Sequence, residues 1–165
     1  RVYAKARERA RGADPRGKSI HFVPWMPYSA RADLYAAVDL LAAISSQGLE
    51  TDLAFRTRLL DAAWGGVCSV SVHGGPLARE IEEAGAGFRV EPSASAVANA
   101  ISTLLLDPAR RAACGTSARR FAASRSWGGV AGPLAAWCRE ARVDPGRRPF
   151  PPAPKKTLWT RLKRK

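Results

Sequence analysis

Acidic, hydroxyl and basic side chains gather in one stretch of the sequence. Glu50, Thr51 and Asp52 precede an apolar segment typical of a helix, and Arg56 follows inside it. The free amides and the dipole at a helix start attract anions, and a nearby arginine adds a charge that suits a diphosphate. The stretch is therefore a candidate phosphate site. The alternative is that Thr51 or Asp52 only caps the helix and that Arg56 pairs with Asp52.

Asp61 is a second candidate, because Leu60 before it and Ala62 after it are apolar or small. A carboxylate in such surroundings is costly to bury unless something pairs with it. The vicinal hydroxyls of a ribose would be such a partner in a nucleotide site. The alternative is an ion pair with Arg58, three residues earlier.

A third candidate is the turn His73-Gly74-Gly75, which follows the apolar run CSVSV. Two glycines at a strand end permit positive φ angles and a close approach of the backbone to a ligand. A single histidine at a strand end is more often structural than catalytic.

The elements that position these candidates alternate between strand and helix. Strands are predicted at 19–23, 39–45, 68–72 and 87–90, and helices at 2–11, 29–38, 53–64, 76–84, 94–106, 109–123 and 130–141, with a polar loop at 47–52. This order predicts an α/β fold, a Rossmann-like parallel sheet flanked by helices on both faces. Ligands of such sheets bind outside the carboxyl ends of the strands, where the three candidates fall.

The net charge of +13 lies at the two ends of the 165-residue chain. Residues 1–18 hold seven Lys/Arg and two Asp/Glu, and residues 142–165 hold nine Lys/Arg and one Asp, whereas 19–141 hold eleven of each sign. A nucleic-acid-binding fold carries its basic stripe on the folded body, so specific nucleic-acid binding is not expected. We predict one domain at 1–143 and a Pro-rich, basic linker and tail at 144–165.

The basic tail at 155–165 carries Leu158, Trp159 and Leu162 among six basic residues. Two interpretations stay open, an interfacial helix on anionic lipid and a solvated tail. No run of 18 apolar residues occurs, so no membrane span is predicted. Without a CxxC or Cys/His cluster, no metal site is expected, and the three cysteines are interpreted as reduced thiols of a cytoplasmic protein.

Five segments occur in an order that resembles a known family. They are Phe22–Pro27 with Leu34–Asp39, Gly48–Val70, Gly74–Ile81, and Gly85–Pro92. Together they are similar to the C-terminal, donor-binding domain of retaining glycosyltransferases of the GT-B fold, in the group 1 family, and the similarity covers about residues 1–141. The resemblance implies sugar transfer from a nucleotide-diphosphate sugar, without a metal or other cofactor. The chain begins at Arg1, and we expect it to be a fragment that lacks the acceptor domain and the N-terminal part of the donor-binding domain.

The resemblance also implies roles for single residues. Asp61 takes the place of the family's ribose-binding glutamate, whereas the other family glutamate falls on Leu53, so that Glu50 is the nearest substitute as a catalytic residue. The remaining donor-binding positions are the base-binding loop at Trp25 and Met26, the phosphate-binding amides of Thr51, Asp52 and Leu53, the charge of Arg56, and the turn at Gly74 and Gly75.

The setting implied is bacterial cell-surface polysaccharide or glycolipid synthesis, in the cytoplasm or on the inner face of the membrane. The fragment alone is expected to be inactive. A different class of function is a degenerate, non-catalytic module that docks to a partner or a membrane surface. Leu53 at a carboxylate position, and Cys68 where the family has proline, favour that alternative.

Overall fold

A computed structural model describes residues 2–142 and 145–147. Its sheet has three parallel strands in the order β1 (Leu40–Ile44), β2 (Cys68–Val72) and β3 (Gly87–Arg89). Every residue of the central strand β2 is buried. The predicted parallel α/β sheet flanked by helices is confirmed. The basic tail at 155–165, with its predicted lipid contact, lies outside the described residues.

Helices precede, connect and follow the three strands. They are α1 (Val2–Ala13), α2 (Arg31–Ala37) after a 3₁₀ turn at Tyr28–Ala30, α3 (Leu49–Leu53), α4 (Thr57–Gly65), α5 (Gly75–Glu83), α6 (Ala94–Leu106), α7 (Pro108–Ala123) and α8 (Trp127–Arg139). The chain divides into two units, one that ends at Ser126 and one that begins at Trp127 with α8. All candidate residues belong to the first unit.

Side-chain caps set the helix boundaries that the sequence predicts best. The Ser93 hydroxyl accepts a hydrogen bond from the Ala96 amide at 3.1 Å and starts α6. The Asp107 carboxylate accepts a hydrogen bond from the Arg110 amide at 2.9 Å and starts α7. Such caps satisfy amides that have no partner within the helix. Gly66, with φ of 72°, ends α4 in the left-handed conformation.

The core lies in two clusters, because alternate strand residues point to opposite faces of the sheet. Under α4 and α5, Ala43 of β1 packs with Leu59 and Leu77. Under α6, Cys68 and Val70 of β2 pack with other apolar side chains, namely Leu104, Cys114, Leu40, Phe88, Val90, Ala100 and Ile101. We call these two sides the α4 face and the α6 face.

Two sequence predictions near the candidate residues are wrong. Residues 19–23 form no strand; instead the Asp14 carboxylate accepts hydrogen bonds from the amides of Ser19 and Ile20, at 2.6 and 2.9 Å. The predicted polar loop at 47–52 is largely the short helix α3, and the following helix begins at Thr57 rather than Leu53. The break between α3 and α4 is held by Arg56, which reaches back to Thr51.

The expectation of reduced thiols is also wrong for two of the three cysteines. Cys68 and Cys114 form a disulfide with their Cα atoms 5.5 Å apart, and both are buried. The bond links the start of β2 to α7. Cys138 is free and exposed. A separation of 46 residues gives no local signal of such a pairing.

Candidate functional site

Arg31 and Asp61 come from two helices that pack together. Arg31 begins α2, and Asp61 lies midway along α4. Beyond Asp61, α4 ends at Gly65, just before the amino end of β2. The packing of two helices, and not a loop at the carboxyl end of a strand, therefore brings this pair together.

Asp61 lines a cavity of about 520 Å³. Its Oδ2 atom lies 3.1 Å from Nη1 of Arg31, whose guanidinium is 4.8 Å from the centre of the Tyr28 ring. The Asp61 side chain remains 29% exposed, and its Oδ1 atom has no partner among the residues that the structure describes. The other lining residues include Ser29, Tyr35, Trp64 and Gly65. A cavity of this volume suits a small-molecule ligand.

Asp61 also acts on Tyr35, whose hydroxyl donates to the Arg58 carbonyl at 3.4 Å. Burial raises the pKa of Tyr35 above 10.0, and the negative charge of Asp61 raises it further. The folded state thus keeps the phenol proton to higher pH than the unfolded chain. The associated stability is present at neutral pH and is lost as the pH rises through the pKa of Tyr35.

We predict that Asp61→Asn lowers the pKa of Tyr35, because it removes the carboxylate charge but keeps the side-chain shape. An NMR titration of the Tyr35 ring resonances measures this pKa directly. Asp33→Asn, an exposed acid on α2, is the matched control and should leave the value unchanged. A Tyr35 pKa that Asp61→Asn does not lower would contradict the geometry of the cavity.

Arg56 is tied to residues of α3 rather than free for a ligand. Its Nη2 atom lies 2.9 Å from Glu50 Oε2 and donates to the Thr51 hydroxyl at 3.0 Å. The side chain is only 18% exposed, and its buried Nε has no hydrogen-bond partner within the described part of the chain. The pairing with Asp52 that the sequence offered as an alternative does not form. Glu50, which is 78% exposed, is the actual counter-charge.

The three residues expected to offer phosphate-binding amides lie within α3. The Asp52 amide donates to the Gly48 carbonyl at 3.0 Å, and Thr51 is buried. The Leu53 side chain is exposed. These residues do not line the cavity at Asp61, so the structure separates the two halves of the site that the sequence placed together.

The turn after β2 packs closely against α3. Gly75 has φ of 69°, and a Cβ atom built there would lie 2.7 Å from the Thr51 carbonyl oxygen and 2.8 Å from that of Ala54. His73 also has a positive φ, 49°. Gly75 therefore allows a close backbone contact within the protein, whereas Gly74 leaves room for the Ala78 side chain. The same turn borders a cleft of about 230 Å³ whose lining includes Asp52, His73, Arg79 and Arg89.

Trp25 and Met26 do not line the cavity at Asp61. Trp25 is 88% exposed, and Met26 is half-buried. Tyr28 and Arg31, which follow Met26 closely in the sequence, line this cavity instead of Trp25 and Met26. Sequence reasoning missed this pair, although an aromatic and a basic residue just after Pro27 were a usable signal.

A cavity of about 750 Å³ opens at the carboxyl ends of β1 and β2, the edge at which the sequence predicts ligand binding. Its polar side is formed by Ser45, Gln47 and His73, and its apolar side by residues of β1 and α6. This cavity shares no lining residue with the cavity at Asp61.

No family model matches the sequence, and no curated protein matches it. Two solved structures are similar in fold. WaaG, a glycosyltransferase involved in lipopolysaccharide biosynthesis, gives a TM-score of 0.60 at 22% identity, over 79% of this chain and 34% of its own. Sucrose-phosphate synthase from Thermosynechococcus elongatus gives 0.64 at 21% identity, over 84% and 34%.

The chain has the fold of one part of a GT-B glycosyltransferase. It spans about a third of the length of the two solved GT-B proteins. Within residues 2–142 and 145–147, no group of three His, Cys, Asp or Glu is arranged to hold a metal ion. The same residues include no helix long and apolar enough to cross a bilayer.

Proposed function

We propose that this GT-B domain binds the nucleotide of a nucleotide-diphosphate sugar for a retaining glycosyltransferase. The observation that carries the proposal is the cavity at Asp61, where a partly exposed carboxylate from α4 meets Arg31 and exposed aromatic rings. This combination suits a nucleoside, which presents vicinal hydroxyls beside a flat ring.

Each group in the cavity has a distinct task in this proposal. The free Oδ1 of Asp61 accepts hydrogen bonds from the ribose hydroxyls, while Oδ2 stays with Arg31. That ion pair fixes the carboxylate, since a charge-assisted hydrogen bond is strong and directional. Tyr28 and the half-exposed Trp64 offer ring faces on which a base can stack.

The domain's share of catalysis is then electrostatic. The leaving diphosphate gains negative charge as the sugar departs, and cations placed near it stabilise the transition state. Arg56 lies outside the cavity at Asp61 and is paired with Glu50, so we propose it as the cation for a diphosphate that extends to α3 and displaces Glu50. Glu50, once released, is the proposed acidic residue beside the sugar. The acceptor and its binding domain would come from further polypeptide, in synthesis of a cell-surface polysaccharide or glycolipid at the inner face of the membrane.

A non-catalytic binding module is the second candidate, and specific contacts favour it. Glu50 and Arg56 neutralise each other, and the exposed Leu53 stands where a carboxylate was expected. A module of this kind would keep the fold but bind no nucleotide. Titration with nucleotides separates the two candidates.

We predict that calorimetric titration detects binding of UDP or GDP and that Asp61→Asn weakens it by about 10–150-fold. A hydrogen bond to a charged group contributes about 1.5–3 kcal/mol, which corresponds to that range. Asp33→Asn is the matched control and should bind as the unchanged chain does. Absence of binding to either nucleotide would favour the module, and equal affinities of the Asp61 and Asp33 variants would remove Asp61 from the site.

A further inference from the structure

Helix α8 carries its bulky apolar side chains on one side. They are three or four residues apart, the spacing that aligns side chains along one face of a helix. The four residues, which we call the α8 stripe, are Trp127, Val130, Leu134 and Trp137. The opposite side holds small residues, among them Ala136, which is two positions beyond Leu134 and does not face it. The apolar bulk of the helix is therefore concentrated on the stripe.

The α8 stripe is open to solvent. Trp127 is 86% exposed and Trp137 is 65% exposed, and the two residues between them are each more than half exposed. None of the thirteen residues of α8, all of which the structure describes, is buried. A large contiguous apolar patch on a protein surface marks an interaction site. The stripe is therefore a candidate docking surface.

Basic residues follow the α8 stripe in the sequence. The helix has no acidic residue and ends at Arg139, and residues 139–165 hold ten Lys/Arg and two Asp/Glu. Lysine and arginine clustered beside an apolar helix face are typical of segments that bind anionic lipid headgroups. The apolar stripe and the basic sequence after it thus complement a surface that is apolar within and negative outside.

We propose that α8 is an interfacial helix, which inserts the α8 stripe into the surface of an anionic lipid bilayer. A helix of thirteen residues is about 20 Å long and so is shorter than the hydrocarbon core of about 30 Å. It therefore lies along the surface and does not span the bilayer. The tryptophans at the two ends of the stripe suit this position, because indole rings prefer the level of the headgroups.

Charge and polarity favour a bilayer over a protein partner. In a second copy of the chain the same basic sequence follows α8, and like charges would oppose pairing of the two helices. A protein interface also usually includes about ten hydrogen bonds, whereas the side chains of the stripe offer only the indole N–H groups of Trp127 and Trp137. A lipid surface requires no such set of partners. The proposal does not depend on nucleotide binding.

Sedimentation of the 165-residue chain with vesicles tests the proposal. We expect binding to vesicles of equal parts phosphatidylcholine and phosphatidylglycerol, weaker binding at high salt, and little binding to phosphatidylcholine alone. Trp127→Ala and Leu134→Gln should each weaken binding about tenfold or more, because each removes apolar surface from the inserted side without changing the charge. Ala136→Gln, on the side of small residues, is the matched control and should bind as the unchanged chain does.

Three results would overturn the proposal. One is the absence of binding to the anionic vesicles. A second is binding that both stripe variants retain in full, which would assign the lipid contact to the basic tail at 155–165. The third comes from sedimentation velocity of the chain without lipid, for which a monomer is expected. A stable dimer that Leu134→Gln dissociates would assign the α8 stripe to a second copy.

Discussion

Reduction of the disulfide between Cys68 and Cys114 is expected to lower the free energy of unfolding by about 4 kcal/mol. A crosslink stabilises mainly by restricting the unfolded chain, and a closed loop of this length corresponds to about that value. The two cysteines are 46 residues apart, and both are buried. Urea unfolding with and without a thiol reductant measures the difference.

The free thiol provides the control for this experiment. Cys138 is exposed and unpaired, so Cys138→Ala should not change the unfolding free energy in either condition. Mass spectrometry under non-reducing conditions should show one crosslink that survives in the Cys138 variant. If the unfolding midpoints with and without reductant coincide, the disulfide is not part of the folded protein.

Gly75→Ala is expected to destabilise the domain by about 3 kcal/mol. An L-residue in the left-handed region costs about 1–2 kcal/mol, and overpacking adds about 1–3 kcal/mol. Here the new methyl group would meet two backbone carbonyl oxygens, of Thr51 and Ala54, at 2.7 and 2.8 Å. Backbone atoms of α3 cannot swing aside as a flexible side chain can.

Gly17→Ala separates the two contributions. Gly17 has a similar φ of 62°, but a Cβ there would meet nothing within 4 Å. Its cost should therefore be the conformational part alone, about 1–2 kcal/mol. Thermal or urea unfolding of both variants gives the comparison. Equal losses at Gly17 and Gly75 would show that the turn does not pack against α3.

The sheet was predictable because its signals are local. DLLAAIS and CSVSV are apolar runs of strand length, and Ser93 and Asp107 are capping residues at the starts of α6 and α7. The errors arose where a distant or side-chain contact decides the conformation. Asp14 satisfies the amides that a strand at 19–23 would have used in a ladder. The disulfide depends on how α7 returns to the start of β2, which no residue spacing encodes.

The candidate site was predictable only in part, because local sequence signals identify charged residues but not their distant partners. Asp61 stood out as a carboxylate among apolar neighbours, but its partner Arg31 is 30 residues earlier and on another helix. The alternative partner, Arg58, is close in sequence but forms no ion pair with it. For Arg56 the sequence offered Asp52, whereas α3 brings Glu50 within reach instead. Local spacing thus identified the charged residues and misassigned their partners.

Nuclear magnetic resonance of the isotopically labelled chain, titrated with UDP and GDP, tests the nucleoside cavity most directly. At least one nucleotide should shift the Tyr28 and Asp61 amides and the Trp64 indole signal more than any others, and saturably. Shifts that are absent with both nucleotides, or that are confined to residues far from Asp61, would contradict nucleotide binding at this cavity.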